Sequence, residues 1–494
     1  MKFISTRGAN PDGVSSAYAI KTGLASDGGL FMPKDIPEIN EAFLKNLSTR
    51  SYPERAATVL SLFLTDYSYD ELLEDAVAAY DPKKFVPSPA PVTKLSDNSY
   101  MLELWHGPTC AFKDMALQIM PRLFSRALKK CDEKRKALIL VATSGDTGKA
   151  ALEGYRDVEG TAIKVFYPID GVSRVQKMQM QTQEGDNVSV VGIVGNFDDA
   201  QTGVKKIFSD GDFAKELSDG GVFLSSANSI NWGRLVPQIV YYVSAYCDMY
   251  NSGAIKMGDE MDVCVPTGNF GNIFAAYIAK LMGLPIGKLI CASNKNNILT
   301  DFLSTGRYDR NRKFYTTMSP SMDILISSNL ERLLYTVIGT EKTAEYMKKL
   351  AADGKYELSR DEFAKISESF VGYYADEAAC AETIKKTYEK EKRLIDTHTA
   401  VAVYCAERYM SENKATSAML VVSTASPYKF AADVLCSLVG EKPENDLEAL
   451  ELLNKETDEP IPTPLAAILA KAPRFTGVIE KDKMQEAVRD FALK

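Results

Sequence analysis

Short apolar segments rich in β-branched residues alternate with helical stretches along most of the chain after about residue 95. Segments of this length and composition predict strands, and their alternation with helices is typical of parallel α/β sheets. The predicted strands are Ala137–Ala142, Ala162–Tyr167, Val188–Val194, Asp262–Pro266, Leu289–Ala292 and Met419–Val422.

Three of these strands run directly into a loop of small and polar residues that is followed by a helix. The three stretches read ALILVATSGDTGKAAL, MDVCVPTGNFGNIFAAY and AMLVVSTASPYKFAADVL. Ligands of α/β proteins bind at the carboxyl ends of the strands, so we expect these loops to form the walls of one site.

The domain division follows changes in pattern. A chain of 494 residues is long enough for two or three domains. Three prolines between Pro87 and Val92 interrupt the helical pattern that ends near Tyr80. We therefore predict an N-terminal domain over residues 1–95, a large α/β domain over 96–136 and 241–494, and a smaller mobile α/β domain over 137–240.

Composition and charge favour some classes of binding partner over others. Hydrophobic residues make up 45% of the chain, charged residues 25%, and the net charge is −8. This acidic balance gives no basic field for nucleic acid or anionic lipid, which favours a small-molecule partner. No apolar leader or membrane span is apparent, so we expect a cytoplasmic protein.

Cysteine and histidine usage argues against metal chemistry. The eight cysteines are scattered without a CxxC pair, which fits reduced thiols in the cytosol. Only two histidines occur, His106 and His398. A histidine-rich metal site is therefore not predicted, and we expect lysine or cofactor chemistry instead.

The loop Gly268-Asn269-Phe270-Gly271-Asn272 lies between a buried strand and an apolar helix. Backbone N–H groups at such a helix start can converge on an anion, and glycines permit the close approach that this requires. The pattern predicts a phosphate cradle, although a tight turn explains the spacing equally well. It matches neither GxxxxGK[ST] nor GxGxxG.

The segment HGPTCAFKDMALQ places Lys113 after a Gly-Pro turn and at the start of an apolar helix. A lysine removed from water loses proton affinity and becomes a nucleophile or base near neutral pH. By spacing alone, a solvated helical lysine paired with Asp114 is the commoner explanation.

The residues around Lys113 resemble a known family. HGPTCAFKD is similar to the HGPT-x-AFKD signature of threonine synthases, and SGDTG, GNFGN and STASPYKF look like further blocks of that family in the same order. STRG and SDGGLFMPKDIP resemble its N-terminal stretch. The likeness extends to about Phe430 and implies a fold-type II pyridoxal phosphate (PLP) enzyme, with two open twisted α/β sheets around a cleft.

The resemblance also implies roles for individual residues. Lys113 would hold PLP as a Schiff base, the loop at 268–272 would bind its phosphate, and Thr424 would face the pyridine nitrogen. Asp146 would lie near the ring hydroxyl. The residues expected on the substrate side are Ser144, Thr147 and, at the substrate phosphate, His398.

The stretch ANSINWGR offers Asn231 and Arg234 for a second phosphate, because an arginine fork matches phosphate geometry. A helix start with a solvated arginine is an equally good explanation. Two residues depart from the family pattern TAHPAKF: Ser426 replaces the histidine and Tyr428 replaces an alanine. Any role of that histidine is therefore in doubt here.

The implied reaction converts O-phospho-L-homoserine and water to L-threonine and phosphate, the last step of threonine biosynthesis, with a monomer as the expected state. One rival is another fold-type II lyase, such as a serine or threonine dehydratase. The loop GNFGN speaks against it, because dehydratases generally carry a run of glycines there. The other rival is a catalytically silent binding protein that keeps the fold.

Overall fold

The computed structural model describes residues 1–143, 145–170 and 172–493. The N-terminal region is mostly helical, with one small antiparallel sheet. Its strands and helices are β1 (Phe3–Ser5), α1 (Ser16–Thr22), β2 (Phe31–Pro33), α2 (Glu41–Ser48), α3 (Tyr52–Phe63) and α4 (Tyr69–Ala79). α4 begins with a capping box between Ser68 and Glu71, which satisfies free N–H groups of its first turn.

A six-stranded sheet forms the larger α/β part. Its strands are β3 (Val92–Ser96), β4 (Ser99–Glu103), β9 (Met261–Pro266), β10 (Ile286–Ser293), β13 (Phe370–Tyr374) and β14 (Ala418–Ser423). They lie in the order β13-β10-β9-β14-β4-β3, and every pair is parallel except β3 with β4. Every residue of β9 and β14 is buried, as expected for central strands covered on both faces.

A second, five-stranded parallel sheet lies in the order β15-β7-β6-β5-β8. Its strands are β5 (Lys136–Ala142), β6 (Thr161–Pro168), β7 (Val188–Val194), β8 (Val222–Ser225) and β15 (Val478–Glu480). All six strands predicted from sequence are present in the two sheets, which confirms the α/β prediction. A small antiparallel pair, β11 (Arg307–Asp309) with β12 (Lys355–Glu357), completes the strands described.

The C-terminal segment differs from the predicted division, which placed all of 241–494 in the large domain. β15 pairs with β7, and the helix after it packs through Met484 and Val488 into the core of the five-stranded sheet. The chain therefore returns to the smaller α/β part at its end. The apolar side chains of that helix are buried there, which gives the physical reason for the return.

Helices cover both sheets. Those between β4 and β9 are α5 (Lys113–Leu117), α6 (Met120–Lys130), α7 (Asp146–Tyr155), α8 (Arg174–Gln181), α9 (Phe197–Ser209), α10 (Gly211–Asp219) and α11 (Trp232–Asn251). Those after β9 are α12 (Gly271–Met282), α13 (Ile298–Thr305), α14 (Leu330–Ile338), α15 (Thr340–Asp353), α16 (Arg360–Ser367), α17 (Glu377–Glu391), α18 (Thr397–Asn413), α19 (Ala431–Val439), α20 (Asp446–Thr457), α21 (Thr463–Leu469) and α22 (Met484–Ala492).

The helix α11 joins the N-terminal region to the α/β part. It is apolar on nearly all sides and almost completely buried, as expected for a helix with neighbours all around it. The Trp232 ring packs against Phe3 and Phe63, with ring centroids 5.4 and 5.7 Å away. In the part of the chain that is described, no helix combines the length and apolarity that a membrane crossing requires.

Candidate active site

A cavity of about 440 Å³ opens where the carboxyl ends of β5, β9 and β14 meet. Residues of the three predicted loops line it, among them Asp146, Gly268 and Thr424. Lys113 lines it too. The expectation that these loops form one site therefore agrees with the geometry.

Backbone hydrogen bonds connect the segment around Lys113 to the loop after β14. The N–H of Phe112 donates to the carbonyl oxygen of Thr424 at 2.8 Å, and the N–H of Ser426 donates to the carbonyl oxygen of Cys110 at 3.0 Å. Ala111 and Ala425 form a bridge between these bonds. Lys113, the first residue of α5, is thus held at a fixed position beside Thr424.

Lys113 is not paired with Asp114, which rules out the solvated-lysine explanation. Both oxygens of the buried Asp114 carboxylate accept hydrogen bonds from Thr109, from its N–H at 2.8 Å and from its hydroxyl at 2.7 Å. Burial lowers the pKa of Lys113 to about 8, although the charge of Asp146 opposes that change. Its amine is therefore partly unprotonated near neutral pH.

Asp146 begins α7 and its carboxylate is buried at the cavity. One oxygen accepts a hydrogen bond from the amide of Gln176 at 2.9 Å and lies 2.9 Å from Nζ of Lys429. The other oxygen lies 4.0 Å from Nζ of Lys113. Burial by itself raises the pKa of Asp146, but the charges of Lys429 and Lys113 outweigh it and hold the pKa well below its usual range.

The loop at 268–272 has the tight geometry of an anion cradle. Phe270 adopts a left-handed conformation, with φ 61°, immediately before α12. A Cβ atom on Gly268 would lie 2.7 Å from the carbonyl oxygen of Ser321, so only glycine fits there. The hydroxyl of Ser327 donates to the carbonyl oxygen of Gly268, and Asn329 donates to that of Asn269.

Asn272 has a side-chain donor that no described residue of the protein engages. Its side-chain oxygen accepts hydrogen bonds from the hydroxyls of Tyr241 and Tyr242 at 2.5 and 2.6 Å. Its amide nitrogen is buried and has no partner among the described residues. A buried donor without a partner is costly, and a ligand at the start of α12 would satisfy it.

Arg234 is a buried cation that has no counter-ion in the described part of the chain. One of its nitrogens donates to the carbonyl oxygen of Ala227 at 2.8 Å, and no carboxylate of the described ranges lies within ion-pair distance. The side chain lines the cavity, and burial lowers the pKa of Arg234 to about 10. An unpaired buried guanidinium facing a cavity favours an anionic ligand. The solvated-arginine explanation is wrong, because Arg234 is only 6% exposed.

Asn231 does not face the cavity with Arg234, which corrects the expected substrate contact. It is fully buried as the N-cap of α11, where its oxygen accepts from the N–H of Gly233 at 2.8 Å. Its amide nitrogen donates to the carbonyl oxygen of Ile20 at 2.8 Å. The oxygen therefore caps α11, and the amide nitrogen holds the N-terminal region to this helix.

His398 lines the cavity but its ring nitrogens are already used. Nε2 accepts a hydrogen bond from the N–H of Ser321 at 3.2 Å, so the proton lies on Nδ1, which donates to Asp396 at 2.9 Å. The ring therefore supports the segment around Ser321 rather than presenting a free donor. Thr147 lines the cavity as expected, and the predicted site residue Ser144 lies outside the described residues.

The two departures from the family pattern lie away from the cavity. The side-chain oxygen of Ser426 caps the turn that follows, accepting from the N–H of Tyr428 at 3.3 Å. The Tyr428 hydroxyl donates to the carbonyl oxygen of Glu459. Both side chains thus have structural partners, and neither is among the residues that line the cavity.

Sequence reasoning missed Lys429 and Gln176, the two polar partners of Asp146. Lys429 belongs to the block STASPYKF, five residues after Thr424, and this position in the block could have indicated that it lies near the site. Gln176 lies on α8, in a stretch without any motif, and only the folded structure brings it to Asp146.

Three family models match the chain in succession. "Threonine synthase N terminus" matches residues 2–80, "Pyridoxal-phosphate dependent enzyme" matches 79–425, and "Threonine synthase, C-terminal" matches 399–491.

Similar proteins match over almost the whole chain. Human "Threonine synthase-like 1" is 40% identical over 98% of this chain, which spans 65% of that protein's length. "Threonine synthase" of Pseudomonas aeruginosa is 38% identical over 92% of this chain and 94% of its own. The crystal structure of PLP-bound threonine synthase from Brucella melitensis is 35% identical, covers both chains completely and has a TM-score of 0.88.

Proposed function

This chain belongs to the threonine synthase family of PLP-dependent enzymes, and from that premise we propose that it converts O-phospho-L-homoserine and water to L-threonine and phosphate. The family confirms the resemblance seen in the sequence, the fold type and the cofactor. The particular reaction is our proposal, because the similar proteins carry two names, threonine synthase and threonine synthase-like.

The residues around the cavity fit PLP. We propose that Lys113 binds its aldehyde, that the loop at 268–272 binds its phosphate and that Thr424 faces its ring nitrogen. The free amide of Asn272 supports this assignment, because a phosphate oxygen would supply the acceptor that none of the described residues provides. When bound, the cofactor supplies a π-system that takes up electrons from the substrate Cα.

The observation that carries the proposed substrate is the unpaired Arg234. The cofactor phosphate has its own cradle at the start of α12, so a second anion-binding group in the same cavity requires a second anion. A phosphorylated amino acid supplies one. The substrate of a serine or threonine dehydratase has no phosphate, but its carboxylate can also pair with Arg234, so a phosphate-release assay distinguishes the two reactions.

Lys113 has the properties of the base that the reaction needs. With its pKa lowered to about 8, its amine can accept the Cα proton of the substrate near neutral pH. The same amine can then take a proton from Cβ, whose electron pair forms the Cβ–Cγ double bond as the Cγ–O bond to phosphate breaks, and return a proton to Cγ. Water adds at Cβ last, and its oxygen becomes the hydroxyl of threonine.

The predicted mobile domain gives a way to control when water enters. We propose that the five-stranded part, which carries Asp146 and Thr147, closes over the cavity when substrate binds. The monomeric state and the cytoplasmic location stay predictions from the sequence.

The proposal is tested by offering the PLP-loaded protein O-phospho-L-homoserine and, separately, L-threonine. We expect phosphate and threonine in equal amounts from the first substrate and no keto acid from the second. Phosphate accompanied by keto acid would contradict the proposed product, and keto acid from threonine without phosphate release would indicate a dehydratase. Absence of any product, together with absence of a lysine-bound cofactor absorbance that Lys113→Ala abolishes, would indicate a silent binding protein.

A further inference from the structure

Lys429 is a buried lysine next to the site, and it does not line the cavity. Its side chain is completely buried. Nζ donates to the carbonyl oxygen of Thr109 at 3.2 Å and to the side-chain oxygen of Gln179, and it lies 2.9 Å from Asp146. Lys429 therefore contacts the machinery of the site only through Asp146 and the loop that precedes Lys113.

The ion pair between Lys429 and Asp146 joins the two α/β parts of the molecule. Lys429 lies in the turn at Pro427–Phe430 that follows β14 of the six-stranded sheet. Asp146 begins α7, which follows β5 of the five-stranded sheet. Such a buried pair is costly to assemble, because both charges lose water, and it gives little net stability. A role in placing charge at the site is a better explanation of its presence.

We propose that Lys429 is a positioning residue, which neutralises and orients Asp146 so that this carboxylate does not take Lys113 as its ion partner. Asp146 lies closer to Lys429 than to Lys113, at 2.9 Å against 4.0 Å. Lys113 is thereby left free to bind and release the cofactor aldehyde. This inference rests on the proposed role of Lys113 as the cofactor lysine.

The charges around Lys113 show how the pairing of Asp146 with Lys429 affects the proton affinity of Lys113. Asp146 raises the proton affinity of Lys113, whereas Arg234 and Lys429 lower it, and Asp114 adds a smaller opposing contribution. Removal of the Lys429 charge leaves Asp146 without its nearest cation. The carboxylate then attracts the proton of Lys113, or of the nitrogen that Lys113 contributes to the cofactor linkage.

The test is a pH titration of the cofactor absorbance in the PLP-loaded full-length protein. In Lys429→Met we expect the midpoint of the absorbance change to move up by about one pH unit or more, which is the effect of one unbalanced charge at short range. Lys429→Gln can still donate a hydrogen bond to Asp146 but lacks the charge, so it should fold well and show the same upward shift. In the double variant D146N/K429M, which has neither charge, the midpoint should return to within about half a unit of the unsubstituted protein.

Lys149→Met is the matched control. Lys149 is a partly buried lysine on the same helix as Asp146, but its ion partner is Glu153, at 3.0 Å. Its removal should leave the midpoint in place. Lower melting temperatures with unchanged midpoints in both Lys429 variants would mean that the residue is only structural and would overturn the inference. So would an equal upward shift in the double variant. If the absorbance band survives Lys113→Ala, the proposed function fails instead.

Discussion

The cavity has two regions that suit anions, and they are built differently. The cradle at 268–272 offers neutral donors, the backbone N–H groups at the start of α12 and the amide of Asn272, and a surrounding layer of side chains fixes its shape. The region around Arg234 offers a full charge with a single backbone carbonyl as partner. Geometry thus defines the first region, whereas charge defines the second.

This difference matches the two anions that the proposed reaction needs. A cofactor phosphate stays bound through many turnovers, so a rigid cradle with many weak donors is suitable. The phosphate of the substrate leaves in every cycle. A single desolvated charge can attract this phosphate strongly and needs no rigid loop around it. The comparison predicts that a substitution at Arg234 reduces turnover and leaves cofactor binding nearly unchanged. A substitution in the cradle should weaken cofactor binding and leave turnover at saturating cofactor nearly unchanged.

The largest effect is expected for Arg234→Met, which removes the charge and keeps the apolar stem. We expect kcat/KM for O-phospho-L-homoserine to fall about 10³-fold, because a desolvated charge pair with phosphate costs about 4 kcal/mol to break. The PLP dissociation constant should change less than about twofold. Steady-state kinetics and a cofactor titration measure the two effects. An equal loss of cofactor affinity would remove the distinction between the regions.

A substitution in the cradle should act in the opposite way. Gly268→Ala would place a Cβ atom 2.7 Å from the Ser321 carbonyl oxygen, so the loop must move. We expect PLP affinity to fall about 10²-fold, the cost of displacing a backbone that is fixed by its neighbours. At saturating cofactor, kcat should stay within about threefold of the original value.

Gly271→Ala is the matched control for that substitution. Its Cβ atom would lie 3.3 Å from the side-chain nitrogen of Asn329, which can give way by a few tenths of an ångström. Its loss of PLP affinity should be at least tenfold smaller than that of Gly268→Ala. If both variants bind PLP equally weakly, the close approach of Gly268 to Ser321 is not what shapes the cradle.

The two regions also differ in how far they could be predicted from sequence. The cradle is contiguous, so the spacing of Gly268 and Gly271 between a strand and a helix pointed to this loop. A tight turn explained that spacing equally well, and the family resemblance was needed to favour a phosphate site. The second region was predicted only in part. Asn231 and Arg234 are three residues apart on one helix start, yet the first caps α11 against Ile20 and the second faces the cavity. Which of them meets the cavity depends on packing against the N-terminal region.

The fold shows the same difference between features formed by one contiguous segment and features that depend on packing between distant segments. The strands β9 and β14 were predicted within one residue because they are continuous apolar runs. The three-residue β15 was missed, because its Val478 is exposed and it carries no apolar run. The contact of Asp146 with Lys429 joins distant parts of the sequence. It depends on how the two sheets face each other, which no local pattern encodes.

Lys113 lines the same cavity as both regions, and its lowered pKa predicts how the cofactor-free protein takes up PLP. The folded state lowers this pKa from 10.5 to about 8, so the free amine should become the major form above that pH. We expect the rate of PLP uptake to rise about tenfold between pH 7 and 9 and then level off. A stopped-flow absorbance measurement records this rate. A rise that continues at about tenfold per pH unit through pH 9 would indicate a solvated lysine.

The smallest effects of single substitutions are expected behind the cradle, where Tyr241 and Tyr242 both donate to the Asn272 oxygen. Either hydroxyl alone can keep that amide oriented, so Tyr241→Phe and Tyr242→Phe should each weaken PLP binding about twofold to threefold. The double substitution removes both donors and lets the amide turn its oxygen toward the phosphate, where it would repel. We therefore expect a loss of about 30-fold, more than the product of the single effects. Losses that simply multiply would mean that the tyrosines do not orient Asn272 jointly, and the cradle would then depend on its backbone donors alone.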